Sequence, residues 1–254
     1  MSSQSHLLRT RRFLPPFVTQ FLGALNDNAI KNALVVLLTF LAAGWTTLRP
    51  EVLANLAAGI FILPFFLFSA IAGQLADKYD KARLARLAEL LEIVIALLAG
   101  VGFLARSLET LFAALFLLGL QSTLFGPVKY ARLPQHPRPV ELVGGNALIE
   151  AGTFVAILLG TLSGGLLAGI DGATTWLSVV GLIVALAGYV ASRAIPAATP
   201  PAPELAIDFN PLSSTWRTFR FARENRAVFL SILGISWFWL FGALFLAQFP
   251  AYRF

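Results

Sequence analysis

Gln20-Phe-Leu-Gly23-Ala-Leu-Asn26-Asp27-Asn28-Ala-Ile-Lys31-Asn32 is a polar run set inside an apolar stretch that extends from Phe17 to about Ala43. About 20 apolar residues in a helix cross the ~30 Å hydrocarbon core of a bilayer. The stretch therefore reads as a membrane span with charge near its middle. Asp27 lies ten residues past Phe17, about 15 Å deep at 1.5 Å per residue. A charged side chain at that depth costs at least ~2.5–3.5 kcal/mol and normally faces a protein interior or a water-filled cavity. Asp27 and Lys31 are four residues apart and share one helical face, where they can partly neutralise each other. Gln20 and Gly23 extend that face toward the start of the chain.

The rest of the sequence agrees with a lipid environment. The 254 residues are 57% hydrophobic and 13% charged, and mean hydropathy is +0.77. Soluble domains run at roughly 45–50% apolar and about 25% charged. Seven spans are expected, at 17–43, 52–76, 84–105, 111–131, 142–170, 175–193 and 228–248. They must be helical, because backbone groups find no water in lipid. The alternating pattern of barrel strands is absent. Arg9, Arg11 and Arg12 before an apolar run resemble a signal peptide. A cleaved signal has an apolar core of only ~7–15 residues, so the run reads as a retained first span.

Basic residues set the orientation. With the N-terminus in the cytoplasm, the inner loops hold Arg9, Arg11, Arg12, Lys78, Lys81, Arg83, Arg86, Arg132, Arg138, Arg193, Arg217, Arg220, Arg223 and Arg226. The opposite side holds Arg49, Arg106 and Arg253, while Lys31 and Lys129 fall within spans. Short loops rich in Lys and Arg stay inside, so the net charge of +6 serves topology and no nucleic-acid partner is expected. With no cysteine, disulfides and thiolate chemistry are excluded. No phosphate-binding loop of the Gly-x4-Gly-Lys-[Ser/Thr] type occurs. No metal site, cofactor or catalytic residue is expected, and the chain is not read as an enzyme.

Three further segments carry candidate chemistry. Gly73-Gln-Leu-Ala-Asp77-Lys78-Tyr-Asp80-Lys81-Ala-Arg83 joins spans two and three. It resembles the signature loop of the major facilitator superfamily, G-x-x-x-D-[RK]-x-G-[RK]-[RK]. The resemblance implies a conformational-switch loop: Gly73 allows close helix approach, Asp77 caps or accepts from basic groups, and Lys78, Lys81 and Arg83 supply positive partners. Asp80 stands where that pattern has glycine and Ala82 interrupts the basic run, which puts the tight turn in question. In span five, Asn146, Glu150 and Thr153 lie on one face. No basic residue of that helix can pair with Glu150, so its partner is another helix, water or substrate, and Glu150 is a candidate proton carrier. Gly160 with Gly164, and Gly165 with Gly169, have the small-xxx-small spacing of close helix contacts. Span four ends Phe125-Gly-Pro127-Val-Lys129-Tyr130. Pro127 should kink it, and Lys129 can either snorkel to headgroups or attract a phosphate.

From Ile195 to Asp208 the chain is rich in proline and alanine and should be an extended linker. Asn210-Pro211 then reads as an N-cap followed by proline at the first helical position. Leu212, Trp216, Phe219 and Arg223 follow at helical spacing among other arginines, which suits a helix lying on the cytoplasmic leaflet or an ordinary connector. His136, five residues before Glu141, is a loose echo of the His-x4-Asp acyltransferase motif, but a proline-rich loop is no catalytic scaffold.

Together the segments Gln20–Leu34, Phe125–Tyr130 and Asn146–Gly160 resemble the lysophospholipid transporter branch of the major facilitator superfamily, including versions fused to an acyltransferase and a ligase. The resemblance implies an all-α, polytopic membrane protein: a six-helix N-terminal half of a major facilitator fold plus a seventh helix. The expected organisation is a transporter half at 1–194, a cytoplasmic linker with an amphipathic helix at 195–226, and the first helix of a truncated second half at 227–254. It implies a multi-pass protein of the bacterial inner membrane that flips lysophospholipid for reacylation. Its partners would be membrane lipids, the lysophospholipid substrate, and a fused or associated acyltransferase. Asp27, Asn28, Lys31, Asn146 and Glu150 would bind substrate or couple transport, and Lys129 would contact a headgroup. Two other functions fit the same sequence: proton-coupled efflux of small amphiphiles, and a non-transporting anchor for a fused enzyme.

Overall fold

The computed structural model describes residues 4–40, 46–131 and 142–248. Among them there is no strand. After a short 3-10 helix at Gln4–Arg9 come α1 (Leu14–Phe40), α2 (Pro50–Lys78), α3 (Lys81–Ala105), α4 (Leu108–Ala131), α5 (Leu142–Ala168), α6 (Ala173–Arg193), α7 (Pro211–Glu224) and α8 (Arg226–Gln248). The seven expected segments fall on the helices α1–α6 and α8, with ends moved by a few residues; five of these helices, or six counting the bent α7–α8 pair, are long and apolar enough to cross a membrane. The five are α2 to α6. Helix α1 is as long as they are, but its polar run dilutes its hydropathy. The loop holding His136, and Glu141 after it, lie outside the described residues.

The chain divides into two compact units, Met1–Ile207 and Asp208–Phe254. In the first, α1 packs against α5 and α6, α2 against α4, and α3 against α4 and α6. Leu34, Leu37, Leu53, Ile95, Leu111, Leu115 and Leu118 fill the centre, while the outer faces of α2, α3, α5 and α6 expose leucine, valine and phenylalanine. That inside-out distribution is what a bundle in lipid requires. Lipid tails are as apolar as leucine, so association rests on close packing and interhelical hydrogen bonds.

Close approach is clearest between α1 and α5. A Cβ on Gly160 would collide with the carbonyl oxygen of Leu25, and one on Gly164 with that of Ala29. This pair brings the two backbones together, as its spacing suggests. The second spacing does no such work: a Cβ on Gly165 would meet nothing within 4 Å, and one on Gly169 would meet only carbonyls of its own helix.

In the second unit, Asn210 caps α7, its Oδ1 accepting from the backbone N–H groups of Leu212 and Ser213 at 3.0 and 3.1 Å. Helix α8 turns from α7 by 120°. At the bend Phe219 meets Phe229 edge-on at 5.6 Å, with the Arg223 guanidinium 5.9 Å from both rings.

Gly160→Leu should destabilise the protein by at least ~1–3 kcal/mol, the cost of overpacking a tight contact, whereas Gly165→Leu should leave it unchanged. Thermal unfolding of the two variants in detergent checks this; equal melting points would contradict the packing assignment.

Candidate functional site

The polar run occupies the middle of α1, and its members divide between two faces. Asn26 and Gln20 are buried, whereas Asp27, Asn28, Lys31 and Asn32 are partly exposed. Asp27 Oδ2 accepts from the Ser122 hydroxyl on α4 at 2.6 Å. Lys31 Nζ donates to Asn28 Oδ1 at 3.0 Å and lies 5.0 Å from the centre of the Phe61 ring on α2. Asn28 and Asn32 donate back to the carbonyls of Ala24 and Asn28, at 2.7 and 2.8 Å. Asn32 also donates to Thr161 on α5 at 3.1 Å.

Asp27 and Lys31 are therefore not joined by an ion pair, but they partly offset each other's charge, as their spacing suggests. Each is held by a different neighbour, and they interact only through space. A carboxylate fixed by a hydroxyl and an ammonium resting on an aromatic face are separate groups of opposite sign on one side of α1, and the second carboxylate oxygen of Asp27, Oδ1, is buried without a hydrogen-bond partner among the described residues.

A second polar group lies toward the end of the bundle that carries Lys78 to Arg83. Lys129 Nζ, near the end of α4, donates to Thr153 Oγ1 at 2.8 Å and stands 3.5 Å from Glu150 Oε1. Thr153 Oγ1 is 2.9 Å from Gln20 Oε1. The partner of Glu150 thus comes from another helix. Lys129, whose side chain is only 10% exposed, turns into the bundle and does not snorkel outward. Asn146 shares the α5 face of Glu150 but is exposed and joins neither group.

The loop between α2 and α3 departs from the expected pattern with a physical reason. Asp80 is the N-cap of α3: its Oδ1 accepts from Ala82 N at 3.0 Å, and its φ of −60° needs no glycine. The same oxygen accepts from Ala198 N at 3.1 Å. Lys78 Nζ donates to Leu205 O at 2.8 Å, and Ala202 N donates to the carbonyl of Asp77 at 3.0 Å. The proline-rich linker is strapped across this loop. The Asp77 carboxylate makes no hydrogen bond or ion pair among the described residues, and a Cβ on Gly73 would meet no neighbour within 4 Å. Arg83 lines a 480 Å³ cavity with Tyr79, Leu84, Leu87 and Leu91.

Sequence reading missed Glu89 and Glu92 on α3. Both are fully buried. Glu92 accepts from Asn26 at 2.8 Å and Gln121 at 3.3 Å. The signal was available, since two carboxyls three apart inside a span carry the same cost as Asp27.

Residues 16–254 match the family model of the Major Facilitator Superfamily. The chain is 29% identical over 238 residues to the lysophospholipid transporter LplT of Serratia proteamaculans, covering 91% of this chain and 55% of that protein. It is 30% identical over 237 residues to LplT of Cronobacter sakazakii, again covering 91% and 55%. The LplT of Klebsiella pneumoniae matches at 29% with the same coverage. The chain thus spans about half the length of the curated relatives it matches.

Replacing Asp80 by alanine removes the α3 cap and one linker contact, and should cost ~0.5–2 kcal/mol. Asp80→Asn, which keeps an acceptor, should cost less. Thermal unfolding of the two variants in detergent measures the difference; a harmless Asp80→Ala would contradict the capping role.

Proposed function

We propose that this chain, which belongs to the major facilitator superfamily, contributes half of a site that flips lysophospholipids across the bacterial inner membrane. The observation that carries the reading is that Asp27 and Lys31 share one side of α1 at mid-helix without an ion pair, with Asp27 Oδ1 left without a hydrogen-bond partner among the described residues. A lysophosphatidylethanolamine headgroup presents an ammonium and a phosphate a few bonds apart. The Asp27 carboxylate suits the ammonium, and the Lys31 ammonium suits the phosphate. Asn28, hydrogen-bonded to Lys31, keeps that cation in place.

The likeness to LplT proteins over 91% of the chain supports this substrate class. The Lys129–Glu150 pair offers a second zwitterionic station nearer the basic end of the bundle, where a descending headgroup would leave. Because Glu150 already has a fixed cation, its role as a lone proton carrier in efflux of small amphiphiles is the weaker reading. Transport would proceed by alternating access, in which two six-helix halves rock about a midplane site. The loop containing Asp77, Lys78 and Arg83 would be the switch, with the Asp77 carboxylate available to a partner surface. In this reading the N-terminus and the basic loops are cytoplasmic, as the positive-inside rule requires. An acyltransferase that consumes the flipped lipid, fused or separate, would complete the reaction sequence.

In the full-length transporter, Asp27→Asn and Lys31→Ala should each lower lysophosphatidylethanolamine uptake into proteoliposomes ~10-fold or more. Losing one hydrogen bond to a charged group is worth ~1.5–3 kcal/mol. Parental rates in both variants would overturn the assignment. Since the chain has no cysteine, single cysteines test topology directly. One at Ser107 or Asp171 should react with an impermeant maleimide in intact spheroplasts, and one at Tyr79 only after lysis. The reverse pattern would invert the orientation.

A further inference from the structure

Behind the accessible face of α1 lies an acidic centre that lipid does not reach. Glu89 and Glu92 on α3 are 1% and 0% exposed. Glu92 is satisfied, with Asn26 donating to one oxygen and Gln121 to the other. Glu89 is not: neither of its oxygens has a hydrogen-bond partner among the described residues, and both are buried. The two carboxyls converge on Gly23 of α1. A Cβ there would lie 3.4 Å from Glu92 Oε2 and 3.6 Å from Glu89 Oε1. On the other side the α6 backbone closes over Glu89, where a Cβ on Gly188 would collide with Oε2. Two glycines, one on each neighbouring helix, make the room these side chains occupy.

Among the described residues no cation forms an ion pair with either carboxyl; on α3 itself Arg86, one turn before Glu89, donates to the Ile195 carbonyl at 3.3 Å. Helix α1 brings Asp27, a third acid next to the Asn26 that binds Glu92, and Lys31, which is committed to Asn28. Helix α4 brings Gln121, with its charged residues Glu109 and Lys129 near its two ends. Helix α6 brings Gly188, with Tyr189 beside it and Arg193 at its end. Two carboxyls sharing such a site cannot both ionise without a compensating cation. A metal ion is a poor fit, because no three acidic or histidine groups among the described residues converge to hold one.

We infer that Glu89 and Glu92 form a proton-binding site enclosed by α1, α3, α4 and α6, separate from the surface that faces lipid. The two sites are wired together through α4. Gln121 binds Glu92 while its neighbour Ser122 binds Asp27, and Ser122 Oγ lies 3.5 Å from Gln121 Oε1. Release of the proton adds negative charge behind Asp27 and competes for the amides that hold α1 and α4 in register. Proton occupancy and the state of the Asp27 surface are thereby linked.

The test is infrared difference spectroscopy of the purified full-length protein in lipid, stepped from neutral to alkaline pH without substrate. The expected result is a protonated-carboxyl band at neutral pH that disappears on the step. That band should be absent in Glu89→Gln and shifted in Glu92→Gln. Both changes preserve shape, and circular dichroism verifies that the variants stay folded. A band unchanged in both variants, its absence from the parent, or its loss only in Asp27→Asn would overturn the inference. The measurement uses no lipid substrate, so its outcome is independent of whether the proposed headgroup site is correct.

Discussion

A helix that carries Asn26, Asp27, Asn28, Lys31 and Asn32 through a bilayer must have every one of those groups answered by protein or substrate. That constraint organises the first unit of the chain. Helix α5 comes close because Gly160 and Gly164 remove the side chains that would keep it away, and Thr161 then reaches Asn32. Helix α4 supplies Ser122 to Asp27 and Gln121 to Glu92. Helix α2 offers an aromatic face to Lys31. On the buried side of α1, Asn26 is satisfied by Glu92 and Gln20 by α5, while Thr19 Oγ1 finds no hydrogen-bond partner among the described residues. The opposite side keeps an anion and a cation that are fixed by Ser122 and Asn28 and form no ion pair with each other.

The same constraint separates two kinds of polar group. Those on the Asp27–Lys31 side are the groups proposed to meet a zwitterion. Those behind it, Glu89 and Glu92, are sealed by glycine-mediated contacts and depend on amides and protons. Helix α4 touches both sets through two adjacent residues, which makes it the natural element to relay a change from one to the other. At the basic end, the linker strapped to Lys78, Asp77 and Asp80 ties the path of the chain leaving α6 to the α2–α3 turn.

Much of the architecture was legible in sequence because lipid imposes it. Lengths of about 20 apolar residues fix the helices, whereas the roles read into Gly73 and Asp77 are not met: a Cβ on Gly73 meets no neighbour within 4 Å, and the Asp77 carboxylate has no partner among the described residues. The site was legible only along a single helix. Spacing of four placed Asp27 and Lys31 on one face, but it could not show that Ser122, 95 residues away, holds the carboxylate. For Lys129 the sequence left snorkelling and phosphate attraction open, and α5 places Glu150 and Thr153 beside it. Glu89 and Glu92 were hidden by the mean hydropathy of 2.3 of their span, which averages away two charges. Asp80, which broke the family pattern, proved to be a helix cap. In each case the missing information was a contact between helices, which periodicity along one helix does not encode.

The central claim is that the accessible middle of α1 binds a zwitterionic lipid headgroup, and crosslinking tests it most directly. A lysophosphatidylethanolamine bearing a photoreactive group at its headgroup should label the full-length transporter within Asp27 to Asn32, mapped by mass spectrometry. Excess unlabelled lysophosphatidylethanolamine should compete the label away. Labelling confined to the lipid-facing surfaces of α3 and α6, with none on α1, would contradict the account.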